Sequence, residues 1–490
     1  MSLPDGIVAV VRRECPTCVL VAPVLGELAE RTTLTVYSQD DATFPDALPG
    51  VVDDTSLAVS YGLDLITVPT LVKVEAGEVV GRLEGWLRPD WEAFTGVSGL
   101  GAGLPEYRPG CGSRTLDPGM AEELEIRYGG RTLRSRRVEL AELEDEHEAL
   151  FDRGWSDGLP VVAPTEARVL RMLAGTTRAP EEVVAVVPPD LVECTVEKVA
   201  VNAVLAGCKP EYLPVVLAAV EAACSDAFNV HGLLATTYFS GPVIVVNGPI
   251  RRAIGMNSGG NVLGQGNRAN LTIGRALQLV VRNVGGGRPG GVDRATMGNP
   301  GKLSFCFAED EEGSPWEPLS VSRGAPQGRS ALTLFAGEGS RGITDQQSRT
   351  PESLARSLAA GLRSVSHPKL PLGFDALLVV SPEHARTFRT AGWTRERLVD
   401  EFGALLLLPA EEVVRGAGGI AEGVAPEALA ALGGGPVPKF RPGGLLVVHA
   451  GGRAGMFSAV IGGWVNGAAG SDPVTVEIDA PAQATTEVGP

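Results

Sequence analysis

Cys15 and Cys18, with two residues between them, are the side chains whose type and spacing point most directly to chemistry. They stand in Cys15-Pro16-Thr17-Cys18, after the β-rich apolar run Gly6 to Val11 and before the Ala- and Leu-rich stretch Val19 to Arg31. That order reads as strand, turn, helix. It puts Cys15 at a helix N-terminus, where the macrodipole and free N–H groups favour a thiolate. Cys15 is then the attacking sulfur. Cys18, one helical turn on and on the same face, is placed to resolve a mixed disulfide. An incidental or zinc-type pair is the alternative, but no second cysteine pair with zinc-ligand spacing accompanies it.

A third cysteine, Cys111, follows the Gly-rich stretch Ser98 to Pro105, in Tyr107-Arg108-Pro109-Gly110-Cys111-Gly112-Ser113-Arg114. The flanking glycines allow close backbone approach, and Arg108 and Arg114 are candidates to stabilise a thiolate. A linker cysteine without function is the competing reading. Cys194, Cys208, Cys224 and Cys306 each stand beside apolar residues and read as small buried hydrophobes. Further along, Gly255 to Asn270 is a Gly/Asn-rich loop opening a helix, a natural site for an anion or carboxylate. Asn257, Asn261, Asn267, Arg268 and Asn270 are its candidate substrate-binding residues. A long structural loop is the alternative, and the spacing fits neither a Walker nor a dinucleotide fingerprint. His384, His449 and Arg453 follow apolar runs and are candidates at a strand edge, whereas His147 belongs to a solvated acidic helix face. The histidines lack metal-ligand spacing, so neither a metal nor an organic cofactor is expected.

The elements that must position these groups follow from periodicity and turn residues. Leu57 to Leu63 reads as a helix and Ile66 to Val74 as a strand entered through Pro69; Glu75 to Glu78 turns into a strand over Val79 to Leu83, and Trp91 to Val97 closes as a helix. Downstream, helices are expected at 140–153, 166–175, 198–206 and 271–281, with strands at 241–249 and 331–336. Asp375 to His384 and Gly444 to Arg453 repeat a theme of an apolar strand running into a polar loop. Such alternation predicts an α/β chain with a mixed or partly parallel sheet, whose ligands bind beyond the strand C-termini.

The first 97 residues strongly resemble the thioredoxin family: a CxxC at a strand-to-helix junction, then Val68-Pro69-Thr70, a Gly-turn hairpin and a closing helix. The resemblance implies a thioredoxin-like fold, a redox-active disulfide, and Pro69 as a cis-proline presenting backbone beside it. Two departures imply altered redox tuning. Glu14 replaces the usual aromatic residue before the first cysteine, and Ala9 sits where relatives often bury an acid. Cys111-Gly112-Ser113 is similar to the UGSC selenoprotein family, with Cys111 at the selenocysteine position and Arg114 replacing the last cysteine. Gly154 to Pro160, Val196 to Pro214 and Asn247 to Arg275 extend that similarity, which implies nucleophilic chemistry at Cys111.

At roughly 150 residues per domain, 490 residues suggest about three domains. We expect a thioredoxin-like domain over 1–97, a Gly-rich linker carrying Cys111 over 98–118, a UGSC-like α/β module over 119–345, a second α/β part over 346–470 and a disordered tail over 471–490. A net charge of −17 is the wrong sign for a phosphate-neutralising face, so nucleic acid is not an expected partner. No apolar run approaches a membrane span and no signal-peptide pattern is seen, so a cytoplasmic protein is expected. The expected function is a thiol-dependent oxidoreductase: the CxxC regenerates a nucleophilic Cys111 acting on a small molecule in the C-terminal module, with an external thiol reductant as a further partner. The alternatives are a sulfur-transfer or carbon–heteroatom bond-cleaving enzyme that uses the first domain as reductant, and a redox-gated binding protein.

Overall fold

A computed structural model describes residues 3–130, 133–141, 143–464 and 471–479. The chain divides into two compact units, Met1–Leu133 and Arg134–Pro490, both mixed α/β.

In the first unit, β1 (Gly6–Val11) leads into α1 (Pro16–Ala29), followed by β2 (Leu34–Ser38), β3 (Val52–Asp53) and α2 (Ala58–Gly62). The expected strand 66–74 is split at Pro69, which lacks an N–H for a ladder, into β4 (Thr67–Val68) and β5 (Thr70–Glu75). The hairpin through Ala76 and Gly77, both at positive φ, returns as β6 (Glu78–Glu84), and β7 (Trp86–Leu87) precedes α3 (Arg88–Thr95). The sheet order is β3-β2-β1-β5-β6, with β1 parallel to β2 and antiparallel to β5. Every residue of β1 after Ile7 is wholly buried because α1 packs Val21, Val24, Leu25 and Leu28 into the same core.

The stretch 98–118 is not a linker outside a compact domain, because the first unit continues to Leu133. Leu100 is fully buried in its core, and the Trp86 indole N–H donates to the Pro105 carbonyl at 2.6 Å. Strands β8 (Tyr107–Arg108) and β9 (Cys111–Gly112) pair antiparallel with β7 and β4, and α4 (Met120–Tyr128) follows. The glycines here serve close packing: a Cβ on Gly110 would lie 2.3 Å from Thr67 Cγ2 and 3.0 Å from the Val68 carbonyl oxygen.

The second unit begins with α5 (Glu146–Asp152), shorter than the expected 140–153 because Asp145 caps it through the N–H groups of His147 and Glu148. Then come α6 (Glu166–Leu173), the hairpin β10 (Val183–Val187) and β11 (Val192–Thr195), α7 (Val196–Ala206), α8 (Leu213–Cys224) and α9 (Val230–Ala235). Strand β12 (Gly241–Asn247) is buried on both faces, which explains its unbroken apolar run. After α10 (Ile250–Ala253) and α11 (Arg268–Asn283) come β13 (Cys306–Ala308), α12 (Leu319–Ser322) and β14 (Ala331–Thr344). A second set follows: α13 (Pro351–Arg363), β15 (Ala376–Val380), α14 (Pro382–Thr390), α15 (Arg395–Leu405), β16 (Leu407–Leu408), α16 (Ala410–Val413), α17 (Pro426–Ala431), β17 (Val437–Pro438), β18 (Leu445–His449), β19 (Phe457–Gly463) and β20 (Val474–Glu477).

No domain boundary falls at 345/346, because strands from both sides of it share one sheet: β14, before it, pairs with β12 at one end and with β19, after it, at the other, in the order β13-β12-β14-β19-β15-β18. Nor is the whole of 471–490 an unstructured tail, since β20 pairs with β14; residues 480–490 lie outside the described residues. The sheet consists of two like halves. In each, a strand pairs in parallel on one side and antiparallel on the other: β12 with β13 and β14, β15 with β18 and β19. The Glu309 N–H donates to the Val246 carbonyl at 3.2 Å and the Ala450 N–H to that of Val380 at 3.3 Å, so 246 corresponds to 380 and 309 to 450. Both halves bury one face in a shared core of Val243, Val245, Phe307, Leu377, Val379 and Val448. The outer strands meet at their tips, where the Asp310 N–H donates to the His449 carbonyl at 2.8 Å.

Candidate thiol-exchange site

Cys15 is the N-cap of α1, and its sulfur accepts the Cys18 N–H at 3.3 Å. Pro16 at the first helical position loses nothing there, because that N–H has no intrahelical partner. The Cys15 sulfur lies 3.6 Å from the Val68 carbonyl, next to the cis Val68–Pro69 peptide. Val68 pairs with Cys111 across β4 and β9, so Cys111 arrives beside Cys15, and each thiol acts on the protonation of the other. Cys15 is 1% exposed, Cys18 is fully enclosed and Cys111 is partly exposed. All three are thiols.

The Cys111 segment is held on both sides. The Thr17 hydroxyl donates to the Pro109 carbonyl at 2.7 Å, and the Arg12 guanidinium to that of Gly112 at 3.2 Å. Beyond β9 the Gln39 amide donates to the Ser113 hydroxyl at 2.7 Å and accepts the Arg114 N–H at 3.1 Å. The Arg114 guanidinium is occupied by the Gln39 carbonyl and Asp117, not by a sulfur. Thr17, Arg12 and the Val68 carbonyl carry no sequence signal of their own; Gly110, in a Pro-Gly-Cys-Gly run, was the visible trace of the close approach.

The three sulfurs are electrostatically unequal. The hydrogen bond from the Cys18 thiol, above all, brings Cys15 down to about 5 against the opposing effect of burial, with Cys111 and the N–H groups of Cys18 and Thr17 adding to it. Burial, and then the bond to Cys15, pushes Cys18 far above the ordinary thiol range and Cys111 upward. Ala9, wholly buried in β1, offers no carboxylate there. Alkylation of Cys15 followed by mass spectrometry across pH 3–10 is therefore expected to rise with a midpoint near pH 5, the thiolate being present above it. Cys18→Ala is expected to move that midpoint upward more than Cys111→Ala does. A midpoint at the ordinary ~8.5 in the intact chain would contradict this arrangement.

In the Gly/Asn loop the candidate side chains bond to backbone. The Asn270 side chain accepts the Asn257 N–H and donates to the Asn257 carbonyl, the Asn257 side chain bonds Gly259 and Gly260, Asn267 caps α11 and donates to the Gly255 carbonyl, Asn261 donates to that of Gln265, and Arg268 to that of Gly207. These side chains hold the loop itself. Cys194, Cys208 and Cys306 are buried, Cys224 half-buried, and burial raises all four thiols. His384 is enclosed between the Ser458 hydroxyl and the Asp345 carbonyl at 2.7 and 2.9 Å. Among the described residues, no group of three His, Cys, Asp or Glu is arranged to hold a metal ion, and no helix is long and apolar enough to cross a membrane. Comparison with family models, curated proteins and solved structures gives no match.

Proposed function

We propose that the chain is a thiol-dependent oxidoreductase in which the Cys15–Cys18 dithiol regenerates Cys111. The observation that carries this reading is the β4–β9 pairing, which lays Cys111 against the one sulfur whose surroundings favour a thiolate. The resemblance of the first 97 residues to thioredoxins, and of Cys111-Gly112-Ser113 to a selenocysteine motif, supports the same assignment. With Cys111 carrying a mixed disulfide to a small thiol, the Cys15 thiolate attacks the Cys111 sulfur, forming the Cys15–Cys111 bond and expelling the small thiolate, which takes a proton from water. Cys18 then attacks Cys15. The Cys15–Cys111 bond breaks, the Cys18 proton passes to the departing Cys111 sulfur, and a Cys15–Cys18 disulfide remains. An external dithiol takes up that two-electron oxidation. A reducing compartment such as the cytoplasm suits seven free thiols.

Removing the resolving thiol should trap the intermediate. A Cys18→Ser variant, mildly oxidised and peptide-mapped, is expected to carry a Cys15–Cys111 disulfide in most of its chains. A clean absence of that species, with Cys111 alkylated at the rate of a free thiol, would remove the relay.

A further inference from the structure

We propose that the second unit holds a binding site for a small carboxylate bearing a hydroxyl or amino group on the neighbouring carbon, at the tips of β15 and β18. The inference is independent of the thiol relay. A cavity of about 320 Å³ opens there, lined by Asp310, Glu312, Arg386, Arg389, His449 and Arg453 among others. Its buried wall is His449, 0% exposed. His449 Nδ1 lies 2.9 Å from the Val380 carbonyl, which can only accept, so the ring proton is on Nδ1 and the Nε2 lone pair faces the cavity. Nε2 has no hydrogen-bond partner; its nearest charged neighbour is Asp310 Oδ2 at 3.6 Å, too far for a direct bond. Burial lowers the His449 pKa and keeps the ring neutral. Two acceptors thus face one another across a gap that a ligand donor, hydroxyl or ammonium, would fill.

The other half of the sheet carries a carboxylate of its own at the matching place. With 246 matching 380 and 309 matching 450, Glu311 corresponds to Gly452 and Glu312 to Arg453. In the first half the Glu311 carboxylate sits beyond β12, accepting the Gly248 N–H at 2.7 Å and the Asn247 amide at 3.0 Å, with Arg251 at 3.0 Å. In the second half Gly452 replaces the glutamate, and its partners change with it: Ser381, Pro382 and Ala385 stand where the first half has Asn247, Gly248 and Arg251, so the backbone N–H is lost and α14 begins without a side-chain cap. Arg386 and Arg453 are exposed and have no ion pair among the described residues. Arg389 donates to the Gly313 carbonyl, and Glu312 is neutralised by Arg251 and Arg252. The second half thus lacks the chain's own carboxylate and instead presents Arg386 and Arg453, two arginines without an ion pair among the described residues, which suit a free carboxylate.

Arginine modification by phenylglyoxal, mapped by peptide mass spectrometry on the full chain at fixed ionic strength, tests the site. Malate is expected to protect Arg386 and Arg453 at a concentration at least threefold below that of succinate, which lacks the hydroxyl, and tenfold below that of inorganic phosphate. Exposed Arg329, ion-paired to Glu477 elsewhere, should be unaffected by all three. In Arg453→Ala, protection of Arg386 should need at least tenfold more malate. Gly452→Glu restores the missing carboxylate, and a Cβ at Gly452 comes no closer than 3.4 Å to any atom; malate protection should vanish. Equal protection by malate and succinate would remove the donor-bearing ligand, better protection by phosphate would remove the carboxylate, and uniform or no protection would remove the site.

Discussion

A Gly110→Val variant is expected to lose the Cys15–Cys111 cross-link at least tenfold while Cys15 becomes more reactive to alkylation. The side chain added at position 110 starts 2.3 Å from Thr67 Cγ2 and 3.0 Å from the Val68 carbonyl oxygen. The first neighbour is the methyl of a β-branched side chain on β4, which is stiff at χ1, and the second is backbone, which cannot withdraw without moving the strand. Overpacking of this kind costs about 1–3 kcal/mol. The β9 segment can avoid that cost by separating from β4, which gives up its two paired residues and the bonds from Thr17 and Arg12. Separation takes Cys111 from Cys15 and opens the 1%-exposed sulfur to solvent. Two readouts in opposite directions distinguish this from unfolding, which would also expose the fully enclosed Cys18. Gly112→Ala, where a Cβ meets no atom within 4 Å, should leave both readouts unchanged. An unchanged cross-link in Gly110→Val, measured in the Cys18→Ser background, would show that the pairing does not govern sulfur contact.

Lys439→Met is expected to cost the second unit about 3 kcal/mol or more. Lys439 is 1% exposed, and its ammonium donates to the carbonyls of Val365, His367 and Leu370 at 2.9, 2.7 and 2.8 Å. Three N–H groups meet three acceptors. Methionine keeps the apolar stem but leaves three carbonyls short of a donor, each worth about 1–3 kcal/mol when buried, with partial relief as the segment relaxes. These carbonyls lie on the crossover between α13 and β15, so the loss loosens the entry to the strands that carry His449. Since a two-unit chain need not unfold in one step, hydrogen exchange is the suitable readout. Peptides covering β15 and β18 should exchange roughly 100-fold faster, with the first unit unaffected. A change below threefold would show that water satisfies these carbonyls without the lysine.

Much of the first unit was legible because its signals are local. The apolar run into Cys15, the break at Pro69 and the turn at Ala76-Gly77 each express a constraint confined to a few residues, and β1, α1, β5 and β6 fall where these place them. Strand β12 and helix α11 were legible for the same reason. The stretch around Cys111 reads as a linker in the sequence because glycine and proline mark flexible segments and tightly apposed ones alike. What separates the two is the strand edge opposite, and Thr67 and Val68 lie more than forty residues away in sequence. The Gly/Asn loop shows the converse: amides suited to a ligand are equally suited to bonding the loop's own backbone, as Asn270 does with Asn257.

By itself, then, the sequence determined the α/β character of the chain, the placement of Cys15 at a helix start with Cys18 one turn on, and the apolar strands running into polar loops. These are short-range consequences of periodicity, capping and turn chemistry. Only the tertiary structure decided that Cys111 meets Cys15, that residues on either side of 345 share one sheet, and that Gly452 stands where its counterpart half has Glu311. Each of these depends on which strand edges pair, and pairing is settled by the burial of whole faces rather than by any residue's neighbours in the chain.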